Sequence, residues 1–313
     1  MPRATYNRLF GKADTILHVT KGLALALGCG LLLSASAAAQ EFTIRLTRPS
    51  VSGQRYRLTA EASRSRRVVT KKDGEVLRDQ QTKKSVELVA EVTVMRLNAK
   101  GRVSQKLMVI ERFVQTEDES RRELLAKGDV LILSSLDGKP TFRLKGSVLT
   151  PSATKALELI FGSNSRAADD DELFGSRQRR KVGDSWPINA EAVARSLKSE
   201  GLEVATEQVS GQMQLARRLK YADIDSLHIS GRMKLAEVTF ADAVLPGYEL
   251  FSSSAEGTFS GIFPINLAQG KLYDTKTLVV DFVMRGKTGI AAGHEITVRM
   301  EKKTQSKIMP LGR

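Results

Sequence analysis

The stretch "VELVAEVTV", residues 86–94, decides the fold class. Val86, Leu88, Ala90, Val92 and Val94 fall on one side of an extended chain, with Glu87 and Glu91 on the other. Alternation with a period of two describes an antiparallel strand that buries one face and wets the other. The same rhythm runs from Glu41 to Lys145, broken by "KKDGE" at 71–75, "NAKGR" at 98–102, "AKGDV" at 126–130 and "LDGKP" at 136–140. Asp-Gly and Lys-Gly pairs between β-rich runs predict hairpins. The long runs between these turns predict tall, twisted or curved strands rather than a small sandwich.

The middle of the chain changes period. In "TPSATKALELIFG", Thr150 is an N-cap, Pro151 the first helical residue and Gly162 the stop. Ala153, Ala156, Leu157, Ile160 and Phe161 then form one apolar stripe. A polar run, "GSNSRAADDDELFGSRQRR", predicts an exposed loop, its acids Asp169–Glu172 balanced by Arg177, Arg179 and Arg180. A second helix starts at the Asn189 cap and runs through 190–199 towards Gly201, with Ile188 and Val193 placed as a hydrophobic staple.

Strands resume at Leu202. "SGQMQLA" at 210–216 is echoed by "SGRMKLA" at 230–236, each with Gly, Met and Leu on one face. Interior strand glycines predict a bend, a bulge or a close backbone approach. Leu278, Val280, Phe282 and Met284, then Ile296, Val298 and Met300, give the clearest final strands. No strand–helix alternation announces a parallel sheet. The expectation is a mainly β (α+β) protein. Its sheet is a strongly curved antiparallel sheet or open half-barrel, with two mid-chain helices on the concave face.

The first 39 residues read as a secretory signal peptide. Arg3, Arg8, Lys12 and Lys21 precede the apolar run "GLALALGCGLLL", and "SASAAAQ" offers cleavage after Ala39. Residues 40–313 then form a single β-rich domain. It has an N-terminal meander at about 41–145, a helical and loop insert at about 150–201 and a C-terminal meander at about 202–309. The lone cysteine, Cys29, lies in the leader, so the mature chain folds without disulfides. No later segment is apolar enough to span a bilayer as a helix. The expected location is the periplasm or cell envelope, or the medium.

The net charge is +14, falling to +11 once a leader with four basic residues and one acid is removed. The excess sits in short groups: Arg64/Arg66/Arg67, Lys71/Lys72, Lys83/Lys84, Arg177/Arg179/Arg180/Lys181, Arg217/Arg218 and Lys302/Lys303. Such a surface attracts anions, anionic envelope surfaces among them. Export, 5% aromatic content and the lack of a groove-reading motif exclude nucleic acid as the expected partner.

Chemistry is sparse. "VGDSWPINAE", 182–191, places Ser185 in a Gly-Asp-Ser tripeptide of the kind some esterases use, and Asp225 and His228 follow at their i, i+3 spacing. That order lacks the oxyanion-hole blocks and the α/β frame of those enzymes. The fuller reading is structural: Gly183-Asp184 turns the chain, and Trp186 plugs the junction between loop and helix. Two histidines and no cysteine leave no zinc cluster in the mature chain. The expectation is no catalytic residue, no metal and no cofactor. Glu111, within "KLMVIERFV", is expected to point outward or to pair with a basic neighbour.

"KSVELVAEVTVMRLNAKGR", "ALELIFG", "DDDELFGSRQRRKVGDSWPINAE" and "GTFSGIFPI" together resemble a group of exported, β-rich bacterial proteins of planctomycete-like type with no assigned activity. At the level of fold, long strands with helices inserted mid-chain are also similar to half-barrel carriers of lipids and lipoproteins in the bacterial envelope. The implied function is a non-catalytic envelope protein binding an apolar or amphiphilic ligand such as lipid. Trp186, Met213, Leu215, Met233, Leu235 and Phe161 would be the ligand residues. The alternatives are a structural or interaction module with a self-filled core and, least favoured, an esterase through Ser185. Oligomeric state is left open.

Overall fold

The computed structural model describes residues 40–136, 139–162, 169–199, 202–240, 247–288 and 291–311. The predicted signal peptide, the Asp137-Gly138 turn and the predicted helix stop at Gly201 lie outside these residues. The first meander contains β1 (Arg55–Lys72), β2 (Glu75–Leu97), β3 (Val103–Glu117), β4 (Ser120–Leu125), β5 (Val130–Leu136) and β6 (Lys139–Leu144). The insert holds α1 (Pro151–Phe161), α2 (Asp170–Phe174), β7 (Ser185–Pro187) and α3 (Ala190–Lys198). The second meander contains β8 (Leu202–Glu203), β9 (Val209–Tyr221), β10 (Ile224–Ala236), β11 (Thr239–Phe240), β12 (Tyr248–Pro264), β13 (Tyr273–Gly286) and β14 (His294–Pro310).

Twelve strands make one antiparallel sheet in the order β6-β5-β3-β2-β1-β14-β13-β12-β10-β9-β7, with β4 also on β3. The last strand, β14, pairs along the whole of the first, β1, and so welds the two meanders together. The ends, β6 and β7, do not pair with each other, so the sheet stays open. The expected mainly β, half-barrel-type architecture is borne out. One boundary differs: residues 43–54 are not a strand, and only Phe42 makes an isolated bridge, to Arg180.

Both predicted helices form where their caps place them. Thr150 Oγ1 accepts from Ala153 N–H at 3.2 Å, and Asn189 Oδ1 accepts from Ala192 N–H at 3.1 Å. Ile188 and Val193 are buried in one cluster, as a staple requires. The acidic run is a correction. Asp169 to Phe174 is not a solvated loop, because Asp169 Oδ1 accepts from Glu172 N–H at 2.9 Å and caps α2. Its acids fill the positive first turn of that helix. Their partners are Arg102, Lys276 and Arg195, not the arginines at 177–180.

One face of the sheet, the inner face, carries two separate cores. In the first meander Tyr56, Leu58, Ala60 and Ala62 face Val92, Ala90, Leu88 and Val86. These pack with Met108, Ile110, Phe113 and Leu131 beneath Ala153, Ala156 and Leu157 of α1. In the second, Met213, Leu215, Ile229, Leu235, Phe263, Phe282 and Val298 pack beneath Trp186 and Val193. Phe42, Ile44 and Leu46 complete that second core as an alternating strap from the start of the described chain. The Leu46 N–H bonds Asp171 Oδ1 and ties the strap to α2.

The inner-face glycines have a definite use. A Cβ at Gly231 would sit 2.1 Å from Met213 Sδ, and one at Gly211 would sit 2.7 Å from Ile188 Cδ1. They are sockets that receive side chains from the neighbouring strand and the helix junction.

Candidate functional site

The stretch from Arg180 to Asn189 is built by local hydrogen bonds. Gly183 has φ +95°, and Asp184 Oδ2 accepts from Lys181 N–H at 2.8 Å, which closes the turn. β7 then lies on β9, with Trp186 opposite Met213. The buried indole N–H donates to Phe174 O at 2.9 Å, and the Arg180 guanidinium lies 5.6 Å from the indole centroid. Trp186 therefore plugs the junction between α2, β7 and α3, as the sequence suggests.

The Ser185, Asp225, His228 set is not brought together. Ser185 is exposed opposite Gln214 on the edge strand. His228 Nε2 lies 2.8 Å from Ser260 Oγ, and Asp225 pairs with Arg218 at 3.4 Å. Burial, with Arg217 nearby, lowers the His228 pKa below the ordinary histidine value. Glu111 pairs as expected, accepting from Arg57 Nε at 2.9 Å and Nη2 at 2.7 Å. That bidentate bond holds the carboxyl below its usual range.

Of the six ligand residues expected, Trp186, Met213, Leu215, Met233 and Leu235 share the second core. Phe161 lies in the first, its ring 6.0 Å from Phe142. The five are occupied by one another and by their own chain. Met213 fills the socket of Gly231, and Met233 reaches Gly257. Two concavities of about 460 Å3 and 380 Å3 lie elsewhere. The first is polar, lined by Glu61, Ser63, Ser85, Thr116 and Lys303 among others, on the outer face. The second lies among Lys71, Gly74, Arg285, His294 and Glu295 at the ends of the hairpins.

A different feature emerges between the two cores. The inner positions of β2, β1 and β14 align row by row. Val86, Ala62 and Thr304 make one row, then Lys84, Arg64 and Lys302, then Thr82, Arg66 and Met300, then Gln80, Val68 and Val298, and then Arg78, Thr70 and Ile296. Five of these inner positions are cations and none is a carboxylate. Glu117 approaches from β3, 3.7 Å from Lys84. Arg64, Arg66, Arg78 and Thr82 are exposed, whereas Ala62 and Val86 are buried beside α1. Among the described residues, the strip lies between the core beneath α1 and the core beneath α3.

The outer face of the same strands is built differently. Three of its cations meet acids: Arg67 with Asp79 at 2.6 Å, Arg299 with Asp281 at 3.0 Å and Arg285 with Glu295 at 3.2 Å. Like charges directly opposite on neighbouring strands repel. The inner row Lys84–Arg64–Lys302 sets three in line, with adjacent strands about 4.8 Å apart. Sequence reading found these residues only as separate basic groups. Joining 64, 84 and 302 requires the register.

No family model matches the chain, and no curated protein matches it. Among solved structures it is similar to a lipovitellin chain from work on lipid–protein interactions, at 9% identity and TM-score 0.38. That match covers 84% of this chain and 26% of the lipovitellin chain, so the protein spans about a quarter of that neighbour's length. A Pseudomonas aeruginosa OpdQ structure matches at 8% identity and TM-score 0.21, over 82% of this chain and 98% of that one. A LolA superfamily protein from Nitrosomonas europaea matches at 10% identity and TM-score 0.10, over 84% and 89%. Likenesses at this level carry no argument about function.

Proposed function

We propose that this is an exported, non-catalytic protein of the cell envelope that holds an amphiphile against the inner face of its sheet, between the two cores. The observation that carries this reading is the strip between the cores. There, half-buried apolar side chains, Val68, Met300 and Leu278, adjoin a row of cations. An amphiphile needs that pairing of apolar floor and charged rim. The filled second core favours a ligand lying on the sheet over one enclosed within it. The leader sequence, with its basic start, apolar centre and small-residue end, supports export to the envelope.

A second reading, a structural or interaction module, draws on the same filled core, where the ligand residues expected from the sequence are satisfied by packing. One experiment separates the two. Protein purified from its own envelope is extracted, and its lipids are identified by mass spectrometry alongside native mass spectra of the intact protein. Co-purifying lipid at a defined ratio is expected. Absence of lipid, together with no binding of a fluorescent fatty acid, overturns the amphiphile reading and leaves the module.

A further inference from the structure

We infer that the polar concavity on the outer face is a saccharide site, floored by Ser63, Ser85 and Thr116 and ended by Lys303 and Arg121. It lies on the opposite side of the sheet from the amphiphile strip and does not depend on that reading. The first support is the register. Lys303, Ser63, Ser85, Thr116 and Arg121 are successive partners on β14, β1, β2, β3 and β4, and so form one row across the sheet. With adjacent strands about 4.8 Å apart, the row is about 19 Å long. Its three central side chains are short and half-buried, and its two end side chains are long and exposed. Gln305, Glu61 and Glu87 make the next row and form a wall beside the hydroxyls. Short side chains among long ones leave a trough of about 460 Å3. That volume is within the range of small-molecule sites.

The second support is the bonding capacity that the trough leaves unused. Among the described residues, the three floor hydroxyls, Glu61 and Gln305 have no hydrogen-bond or ion-pair partner, and neither do Lys303 and Arg121. Glu87 is held by Arg112. The unused groups are a carboxylate that only accepts, two cations that only donate, and hydroxyls and an amide that do both. The charged lining residues balance, two acids against two bases. These groups select a ligand class by exclusion. An anion meets Glu61 and Glu87, which face each other in register. A polycation meets Lys303 and Arg121. An acyl chain finds only Val114, because Ala62 and Val86 turn their side chains into the first core. A neutral sugar, whose hydroxyls each donate and accept, satisfies all three kinds of group.

The test is calorimetric titration of residues 40–313 with maltohexaose, cellohexaose and chitohexaose, each in low and in high salt. Binding of at least one of them, with an affinity that salt leaves unchanged, is expected. The triple variant Ser63→Ala, Ser85→Ala, Thr116→Val should bind that sugar roughly a hundredfold more weakly, about fivefold for each hydrogen bond lost. Glu61→Gln, a single exchange at an exposed position, should lose about tenfold, because bonds to a charged group are the stronger kind. The control Ser210→Ala, Ser254→Ala, Thr258→Val removes three hydroxyls from exposed positions on β9 and β12 and should bind as the parent does. All variants are checked for the parent's circular dichroism and melting transition.

Equal binding by the trough variants and the control overturns the site. Failure of all three sugars to bind at millimolar concentration overturns the saccharide assignment. So does binding of inorganic phosphate or spermidine, in place of the sugars, that the same variants abolish. None of these outcomes touches the amphiphile reading, which is decided by co-purified lipid.

Discussion

Two regions of one sheet face follow different rules. Under α3 and Trp186 the face is filled, and side chains seat in sockets made by glycines on adjacent strands. Between Ala62 and Thr70 the same face carries cations in register on β1 and β2, with Arg64, Arg66 and Arg78 exposed. Filled surface reports on stability, because interiors are close-packed and lose both burial and contacts when cut back. Exposed charged surface has little packing to lose, so it reports less on stability and more on what meets it from outside. The comparison therefore predicts that substitutions in the covered region change stability and spare binding, while those in the strip do the reverse.

The largest expected effect is at Trp186. Trp186→Ala removes the plug between α2, β7 and α3 and should cost about 3–5 kcal/mol in urea unfolding. The lipid that co-purifies with the molecules that remain folded should be unchanged. Leu157→Ala makes the matching cut in the first core, with an expected cost of about 2–5 kcal/mol. A loss below 1 kcal/mol at either position would mean that the core is not sealed there.

Gly231→Ala comes next. Its Cβ would meet Met213 Sδ, and the overpacking should cost about 1–3 kcal/mol. Combining it with Met213→Ala should recover part of that loss if the socket account holds, and simple additivity would contradict it. Thr150→Ala and Asn189→Ala each remove one cap, and each should cost about 1 kcal/mol. In the strip the sign reverses: Arg64→Gln, between Lys84 and Lys302, should leave the melting midpoint unchanged or raise it.

The smallest effect concerns pH. His228 is held neutral because burial, and then Arg217, lower its pKa. A base depressed in the folded state contributes stability that is present above its unfolded value, near 6.5, and lost as pH falls through the lowered one. The urea midpoint should fall between about pH 7.5 and about pH 5, and His228→Gln should flatten part of that slope. An unchanged slope would show that the Ser260 contact leaves the imidazole as solvated as in the unfolded chain.

Much of the frame was legible in the sequence because it is written locally. Alternation at 86–94, the Thr150 and Asn189 caps and the Asp73-Gly74 turn each depend on residues within one turn or strand. Asp73 and Gly74 both have positive φ, as a two-residue hairpin loop requires. Asp118-Glu119 and Ala222-Asp223 do the same work without glycine, so the sequence carries no such signal for them. α2 was hidden because a run of acids reads as solvated loop until Asp169 is recognised as a cap. The site was less legible than the fold. Met213, Met233 and Trp186 do meet, but whether such a group lines a void or fills one depends on what lands on it from elsewhere. Here Ile188 and the strap at Phe42, Ile44 and Leu46 share that cluster. The cationic strip depends on pairing β1 with β14 across more than two hundred residues, which no local pattern encodes.

The central claim, that the cationic strip and not the filled core meets the ligand, is tested most directly by hydrogen–deuterium exchange of residues 40–313. The exchange is followed with and without micelles of a short-chain phosphatidylglycerol. New protection is predicted along residues 64–84 and around 300–304, with the peptides containing Trp186, Met213 and Met233 unchanged. Protection centred on those core peptides, with none in the strip, would contradict the account.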